Sequence, residues 1–216
     1  MYEKHGWWFP DQDTHFVRML DKNISKGFKP VYQEPVRSKS LRFVKDTGVA
    51  LDIGANIGLW SRDLCNHFRN VIAFEPVADF RNCLIKNVTA SNIDIRPYAL
   101  GSVNTTIDMI VTEGNTGHSH VDNSTIGTGD IEMWRLDTLK FNRIDYIKID
   151  CEGYELTILE GAEQTVKKHK PVIVVEQKLH KDTGITEDTQ YGAVELLKSW
   201  GMIELAKVNN DCILGW

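Results

Sequence analysis

The chain has 216 residues, 42% hydrophobic and 25% charged, with a formal net charge of −5. That balance is ordinary for a globular protein and lacks the basic footprint of a nucleic-acid binder. No apolar run, Val172–Val175 included, approaches the roughly 20 residues of a membrane span, and Cys65, Cys83, Cys151 and Cys212 form no CxxC pair, as expected of reduced thiols in a cytoplasmic protein.

Glu3, Lys4, Asp11 and Asp13 stand where a signal peptide would carry an apolar core. Residues 1–47 show no clean period. They hold one candidate helix, Thr14–Leu20, among Gly6, Pro10, Gly27, Pro30 and Pro35, and read as an N-terminal extension packing on a domain of residues 48–216, where it is a candidate cover for an acceptor. From Val49 the pattern is regular. Val49–Ile53 is a buried-strand run, and Ile57, Trp60, Leu64 and Phe68 recur at helical spacing. A strand Val71–Phe74 precedes a helix carrying Val77, Phe80, Leu84 and Val88, and Ile93–Leu100 reads as a third strand closed by Gly101.

Thr105–Val111 and Ile131–Leu136 alternate like exposed strands. The Gly-, Asn- and Ser-rich segment between them, Glu113–Asp130, is long enough to suggest a functional loop. A strand Ile144–Ile149 and a helix Tyr154–Lys168, stopped before Pro171, follow. Then come a strand Val172–Val175 and a helix marked by Val194, Leu197 and Trp200. Ile203–Val208 and Cys212–Trp216 form an antiparallel pair turning at Asn209-Asn210-Asp211. Strands alternating with helices predict an α/β, doubly wound, mostly parallel sheet with right-handed crossovers.

Two stretches carry chemistry. "VALDIGANIGLW", residues 49–60, has a glycine turn at a helix start, a geometry that offers backbone N–H groups to a ligand. A dinucleotide turn needs G-x-G-x-x-G, but Asn56 and Leu59 occupy its second and third glycine positions. Asp52, on the strand before the turn, would repel a pyrophosphate and suit an ammonium group. S-adenosylmethionine (SAM) carries an ammonium, together with a carboxylate that a helix N-terminus can receive. Glu75-Pro76 ends the second strand, where a carboxylate can accept hydrogen bonds from ribose hydroxyls. The bland alternative is a helix cap with structural glycines and a surface Glu.

The second stretch, "IDYIKIDCEGYE", residues 144–155, delivers Asp150, Glu152 and Gly153 at a strand's carboxyl end, and the next strand ends in Glu176-Gln177. In such sheets ligands bind outside the carboxyl ends of strands, so Asp150, Glu152 and Glu176 are expected to ring one cleft. Methyl transfer to a hydroxyl needs the nucleophile positioned and deprotonated. Clustered carboxylates can supply a base of raised pKa or hold an oxygen-preferring ion such as Mg2+. Against this, Glu152 could simply charge a helix N-terminus and Glu176 pair with a lysine. His118 and His120 in the long loop offer a further base or a solvent-exposed pair. Trp7-Trp8-Phe9 either stacks on a saccharide or docks the N-terminus on the sheet.

With both stretches in view, the chain resembles the FkbM-type family of SAM-dependent methyltransferases, through "LDIGANIG", "VIAFEP", "CLIKNV", "YALG", "LDTL", "IDYIKIDCEGYELTILEGA" and "PVIVVEQ". The opening "GWWFPDQDTHF" looks like the lead-in of some members. The resemblance implies the class I methyltransferase fold, Rossmann-like, with strand order 3-2-1-4-5-7-6, and O-methylation of a small-molecule or saccharide acceptor. It assigns Asp52, Gly54, Ala55, Asn56 and Gly58 to the donor's methionine end, Glu75 and Pro76 to its ribose, and Tyr98-Ala99-Leu100 to its adenine. It places Asp150, as donor ligand and catalytic group, with Glu152 in the active site. Catechol O-methyltransferase, a metal-dependent relative, has acids or amides at the same strand ends, so Asp150, Glu176 and Gln177 are a candidate site for Mg2+ or another divalent cation. The rival functions are a non-catalytic SAM-binding protein, disfavoured by the acidic cluster, and an NAD-dependent oxidoreductase, disfavoured by Asn56 and Leu59.

Overall fold

The computed structural model describes residues 1–11, 13–177 and 192–216. The chain begins with a hairpin, β1 Tyr2–Lys4 and β2 Trp7–Phe9, whose tight turn puts His5 and Gly6 at positive φ. Two helices follow, α1 His15–Ser25 and α2 Glu34–Leu41. Neither the hairpin nor α2 has a periodic signal; Pro35, read as a breaker, sits in the first turn of α2, where its missing N–H costs nothing.

The regular part alternates strand and helix: β3 Val49–Ile53, α3 Ser61–His67, β4 Asn70–Phe74, α4 Ala78–Asn87 and β5 Ile93–Arg96. The third strand is shorter than the apolar run suggests. Pro97 has no N–H for the ladder, and the chain restarts as β6 Ala99–Leu100 in a different sheet. That second sheet, ordered β6-β9-β7-β8, gathers β7 Thr105–Ile110, β8 His120–Asp122 and β9 Ile131–Trp134. The long polar loop is thus partly structured.

The alternation resumes with β10 Tyr146–Ile149, α5 Glu155–Glu160, α6 Glu163–His169 and β11 Val172–Glu176, and closes with α7 Gly192–Ser199, β12 Ile203–Val208 and β13 Asp211–Gly215. The helix expected over 154–168 is broken at Gly161. A Cβ there would lie 2.0 Å from the Gly101 carbonyl oxygen, so only glycine admits the close approach of these two segments. The main sheet has the order β12-β13-β11-β10-β3-β4-β5, parallel except at β13 and β12. Counted along the sheet's own strands, that is 3-2-1-4-5-7-6.

Both faces are covered, which is why β10 is buried at all four positions. On one face Ile53, Ile147, Ile149 and Ile173 pack against Leu159, Val166 and Leu197. On the other, Ala50, Val71, Tyr146 and Val174 meet Val36 of α2 and Trp60 and Leu64 by α3. Trp7, Phe9, Phe16 and Leu20 pack onto Ile57, Leu59 and Cys83, beside the glycine turn. Among the described residues no helix is long and apolar enough to cross a membrane.

Candidate active site

A cleft opens at the carboxyl ends of β3, β4, β10 and β11. It is open to solvent, with a free volume of about 1120 Å3 when the open mouth is counted.

The glycine turn forms its floor, and each residue type there has a local cause. A Cβ on Gly54, at φ +77, would lie 2.1 Å from the Asp150 carbonyl oxygen and 2.8 Å from Cys151 Sγ, because the ends of β3 and β10 press together. Asn56 adopts φ 50, a left-handed geometry that Asn tolerates better than most residues. Its side chain braces two segments: Nδ2 donates to the Thr116 carbonyl at 3.1 Å, and Oδ1 accepts from the Ile57 N–H at 2.8 Å. A glycine could do neither. Gly58, at φ +90, packs against Leu84 and does not line the cleft.

The turn's N–H groups are not offered to a ligand. Those of Gly54 and Ala55 donate to Phe74 O, that of Asn56 to Glu75 Oε2, that of Ile57 to Asn56 Oδ1, and that of Gly58 to Ala55 O. The backbone N–H groups of residues 54–58 are thus engaged within the protein. Glu75 is 4% exposed and lines the cleft beside Ala55 and Pro76. Its Oε2 accepts from Asn56 N at 2.7 Å and its Oε1 from Val77 N at 2.8 Å. Burial nonetheless pushes its carboxyl up to about 7. Ala99 lies further along the same wall, with Tyr98 and Leu100.

Asp52 is not where the turn motif suggests. Its side chain faces α3, is 0% exposed and takes no part in the cleft wall. Ser61 Oγ donates to its Oδ2 at 2.5 Å, and Lys148 Nζ lies 3.6 Å from its Oδ1. The cause is strand alternation: Asp52 shares the face of Ala50, whereas Ile53 faces α5. Burial raises the Asp52 carboxyl, against Lys148 and the Ser61 hydrogen bond.

The acidic end of the cleft assembles as expected. Asp150, Glu152 and Glu176 all line it, and one oxygen from each lies within 4.8 Å of the other two. Glu152, at φ 50, and Gly153, at φ 98, make the turn that follows β10. Glu155 Oε1 braces that turn by accepting from the N–H groups of Cys151 and Gly153. Glu176 lies opposite Asp211 in register, and burial, then Asp150, push the Asp211 carboxyl up to about 7. Gln177 is buried outside the cleft, with its N–H donating to Asn210 O. Among the described Asp, Glu, His and Cys residues, the group close enough to share one ion is therefore Asp150, Glu152 and Glu176, and Gln177 is not part of the cleft lining.

His118 lines the cleft from the loop, its ring 6.2 Å from that of His15. His120 lies outside the lining. The lining also takes residues that the sequence does not single out as site residues, among them His15 and Phe16 of α1, Tyr32 and Lys148. Burial, then Asp150 and Glu176, raise the Tyr32 phenol, so its proton stays on. Trp7, Trp8 and Phe9 lie away from the cleft, docked on α4. Asn87 clamps Trp8, with Oδ1 accepting from its N–H at 2.6 Å and Nδ2 donating to its carbonyl at 2.9 Å. The aromatic triplet therefore docks the N-terminal hairpin on the domain.

The family model for the methyltransferase FkbM domain matches residues 52–201. The chain belongs to the FkbM methyltransferase family. No curated protein matches it at a significant level. Among solved structures, methyltransferase FkbM from Methylobacillus flagellatus KT is 19% identical, with a TM-score of 0.54 over 86% of this chain and 47% of that one. This FkbM domain thus spans about half the length of that relative. N-methyltransferase NodS from Bradyrhizobium japonicum WM9 is 12% identical, with a TM-score of 0.51 over 94% and 96% of the two chains. SMU.1697c from Streptococcus mutans, solved in complex with SAH, is 7% identical, with a TM-score of 0.51 over 86% and 98%. At these identities the likeness is one of fold, the class I methyltransferase α/β sheet.

Proposed function

We propose that this FkbM domain is a SAM-dependent O-methyltransferase acting on a hydroxyl of a small, polyhydroxylated acceptor such as a saccharide. The observation that carries the reading is the convergence of Asp150, Glu152 and Glu176 at strand ends, in one cleft with Glu75. The donor supplies an electrophilic methyl group on a sulfonium. Glu75 receives its ribose hydroxyls, Tyr98, Ala99 and Leu100 its adenine, and Asp150 its ammonium, the role that sequence pattern gave to Asp52. Glu152 and Glu176 accept hydrogen bonds from the acceptor, and one of them takes the hydroxyl proton as the methyl group moves. His118 stands on the loop side as a further proton acceptor. Phe16, Tyr32 and Trp60 give the cleft aromatic surface against which the C–H faces of a sugar can lie.

Three carboxylates are the donor type that Mg2+ prefers, and Asp150, Glu152 and Glu176 would hold it. The Lys148 ammonium, 3.5 Å from Asp150 Oδ2, already provides a cation beside one of them.

The test is a thermal-shift titration with S-adenosylhomocysteine (SAH) beside NADH, followed by methyl transfer to a panel of hydroxylated sugars. Saturation to one hundred times the dissociation constant stabilises by about 2.7 kcal/mol, a readable shift. SAH is expected to shift the melt and NADH not, with Asp150→Asn weakening SAH by about tenfold or more, the worth of a charge-assisted hydrogen bond. Glu176→Gln should retain SAH binding and lose transfer. A shift with NADH alone refutes the donor. SAH binding without transfer to any hydroxylated acceptor favours the non-catalytic reading.

A further inference from the structure

Lys148 lies inside the stretch "IDYIKIDCEGYE", but its place in the cleft comes from the sheet register. Register pairs it with Asp52 across the β10–β3 ladder, and the two-residue period of β10 brings Asp150 to the same face. Its side chain is 5% exposed and makes three polar contacts at once. Nζ lies 3.6 Å from Asp52 Oδ1 and 3.5 Å from Asp150 Oδ2, and it donates to the Gly54 carbonyl at 3.1 Å. One ammonium therefore joins a buried carboxylate, a cleft carboxylate and the backbone of the glycine turn. Burial works against its charge, but Asp150 and Asp52 outweigh it and raise its pKa. It is a fixed cation, not a base.

A counter-ion for Asp52 alone would need only the first contact. The other two hold β3's turn and β10's end in one mutual geometry, at the point where Gly54 and Asp150 are in closest approach. We infer that Lys148 is a positioning residue that clips the Asp150 carboxylate to the glycine turn and so presents it to the donor's ammonium group. The inference rests on the donor role proposed above for Asp150. Without Lys148, nothing holds the Asp150 carboxylate against the repulsion of Glu152 and Glu176, and the donor meets a carboxylate that must first be ordered.

The experiment measures SAH affinity by calorimetry and melting temperature on the whole chain. Lys148→Met alone leaves Asp52 charged and buried, so its instability says nothing of position. Asp52→Asn/Lys148→Met removes both charges of that pair. Relative to Asp52→Asn, it is expected to melt within a few degrees yet bind SAH about tenfold more weakly. With Asp150→Asn added to both, deleting Lys148 should change affinity by no more than about twofold, since its route is gone. Equal SAH affinity in Asp52→Asn and the double variant overturns the proposal, leaving Lys148 a counter-ion only. So does an equal loss with and without Asp150, which would mean that Lys148 touches the donor itself. Undiminished affinity in Asp150→Asn sinks the donor-site reading and this inference together, whereas the first two results sink the inference alone. Should the double variant not fold, Lys148→Arg keeps the charge while changing its geometry. Retained melting with weakened SAH then supports the clip, and unchanged SAH affinity overturns it.

Discussion

On the proposed reading, in which Glu75 receives the donor's ribose, one proton on Glu75 links the fold's stability to donor binding. Burial lifts its carboxyl from 4.5 to about 7, and about 1.4 kcal/mol accompanies each pH unit. The ionised form therefore costs the folded state about 3 kcal/mol. The sign follows from proton uptake. The folded state binds this proton more tightly than the unfolded one, so the contribution is fully present below 4.5 and is lost as pH rises to about 7. Other groups titrate in that window, Asp211 among them, so the quantity to read is a difference. Urea unfolding of the wild type and Glu75→Gln, from about pH 4.5 to about pH 8, should show wild-type stability falling relative to the variant by about 2–3 kcal/mol. SAH binding should run the other way. If the ionised carboxylate is what accepts the ribose hydroxyls, wild-type affinity weakens as pH falls below 7, toward about tenfold per unit, and the Gln variant stays flat. A difference in stability that does not change with pH would refute the buried, proton-holding carboxyl. A flat wild-type SAH profile would refute its contact with the donor.

Three further substitutions probe the floor of the cleft and its attachments. Asn56→Gly restores a glycine spacing but removes the side-chain bonds to Thr116 O and the Ile57 N–H. It should cost about 1–3 kcal/mol and speed proteolysis within residues 112–119, and unchanged cleavage would show that Asn56 does not hold that loop. Gly54→Ala forces a methyl to 2.1 Å from the Asp150 carbonyl oxygen at φ +77. It should lower the melting temperature more than any other substitution named here, and a drop within about 2 °C would disprove the close approach. Asn87→Ala removes hydrogen bonds to Trp8 N, Trp8 O and Ile57 O. A loss of about 2–4 kcal/mol should come with faster amide exchange at Trp8, and exchange at the wild-type rate would mean that the hairpin is held by packing alone.

The parts of the cleft that could be read from the chain are those whose causes are local. A glycine turn after an apolar strand and an acid at a strand's end are short-range patterns, and they brought Gly54, Asn56, Glu75, Asp150, Glu152 and Glu176 to one place. Asp52 went wrong within that same turn, although the information was present. In a two-residue period, Ala50 and Asp52 share a face that Ile53 does not, and a strand buried on both sides hides the alternation. Lys148 was beyond reach, because its meaning lies in a register with Asp52 across the sheet. The break at Gly161 was likewise tertiary, set by the Gly101 carbonyl. Pro97, by contrast, marked the end of β5 in plain view, and the apolar run around it was weighted too heavily.

The two halves of the cleft differ in origin, and part of one wall, His15, Phe16 and Tyr32, lies outside the family match. The proposed donor side, from Gly54 and Glu75 to Asp150, is built by consecutive strand–turn–helix units that fall within the family match. The opposite wall draws His15, Phe16 and Tyr32 from the segment before that match, and Met109, His118 and Val121 from the second sheet and its loop. These segments are tied to each other and to the floor. Thr116 Oγ1 donates to the buried Asp13, whose Oδ1 accepts from the His15 N–H at 2.8 Å, and Asn56 Nδ2 reaches the Thr116 carbonyl. On the proposed reading, a donor beside the Asn56 turn would bear on the wall through Thr116 and Asp13. Asp13→Asn, which keeps the shape and removes the charge, isolates that link. It should leave SAH affinity within about twofold while loosening the wall, read as faster amide exchange at His15 and Thr116. Slower or unchanged exchange at both would mean that the two halves stand independently, and that acceptor selection is set by the wall's own packing.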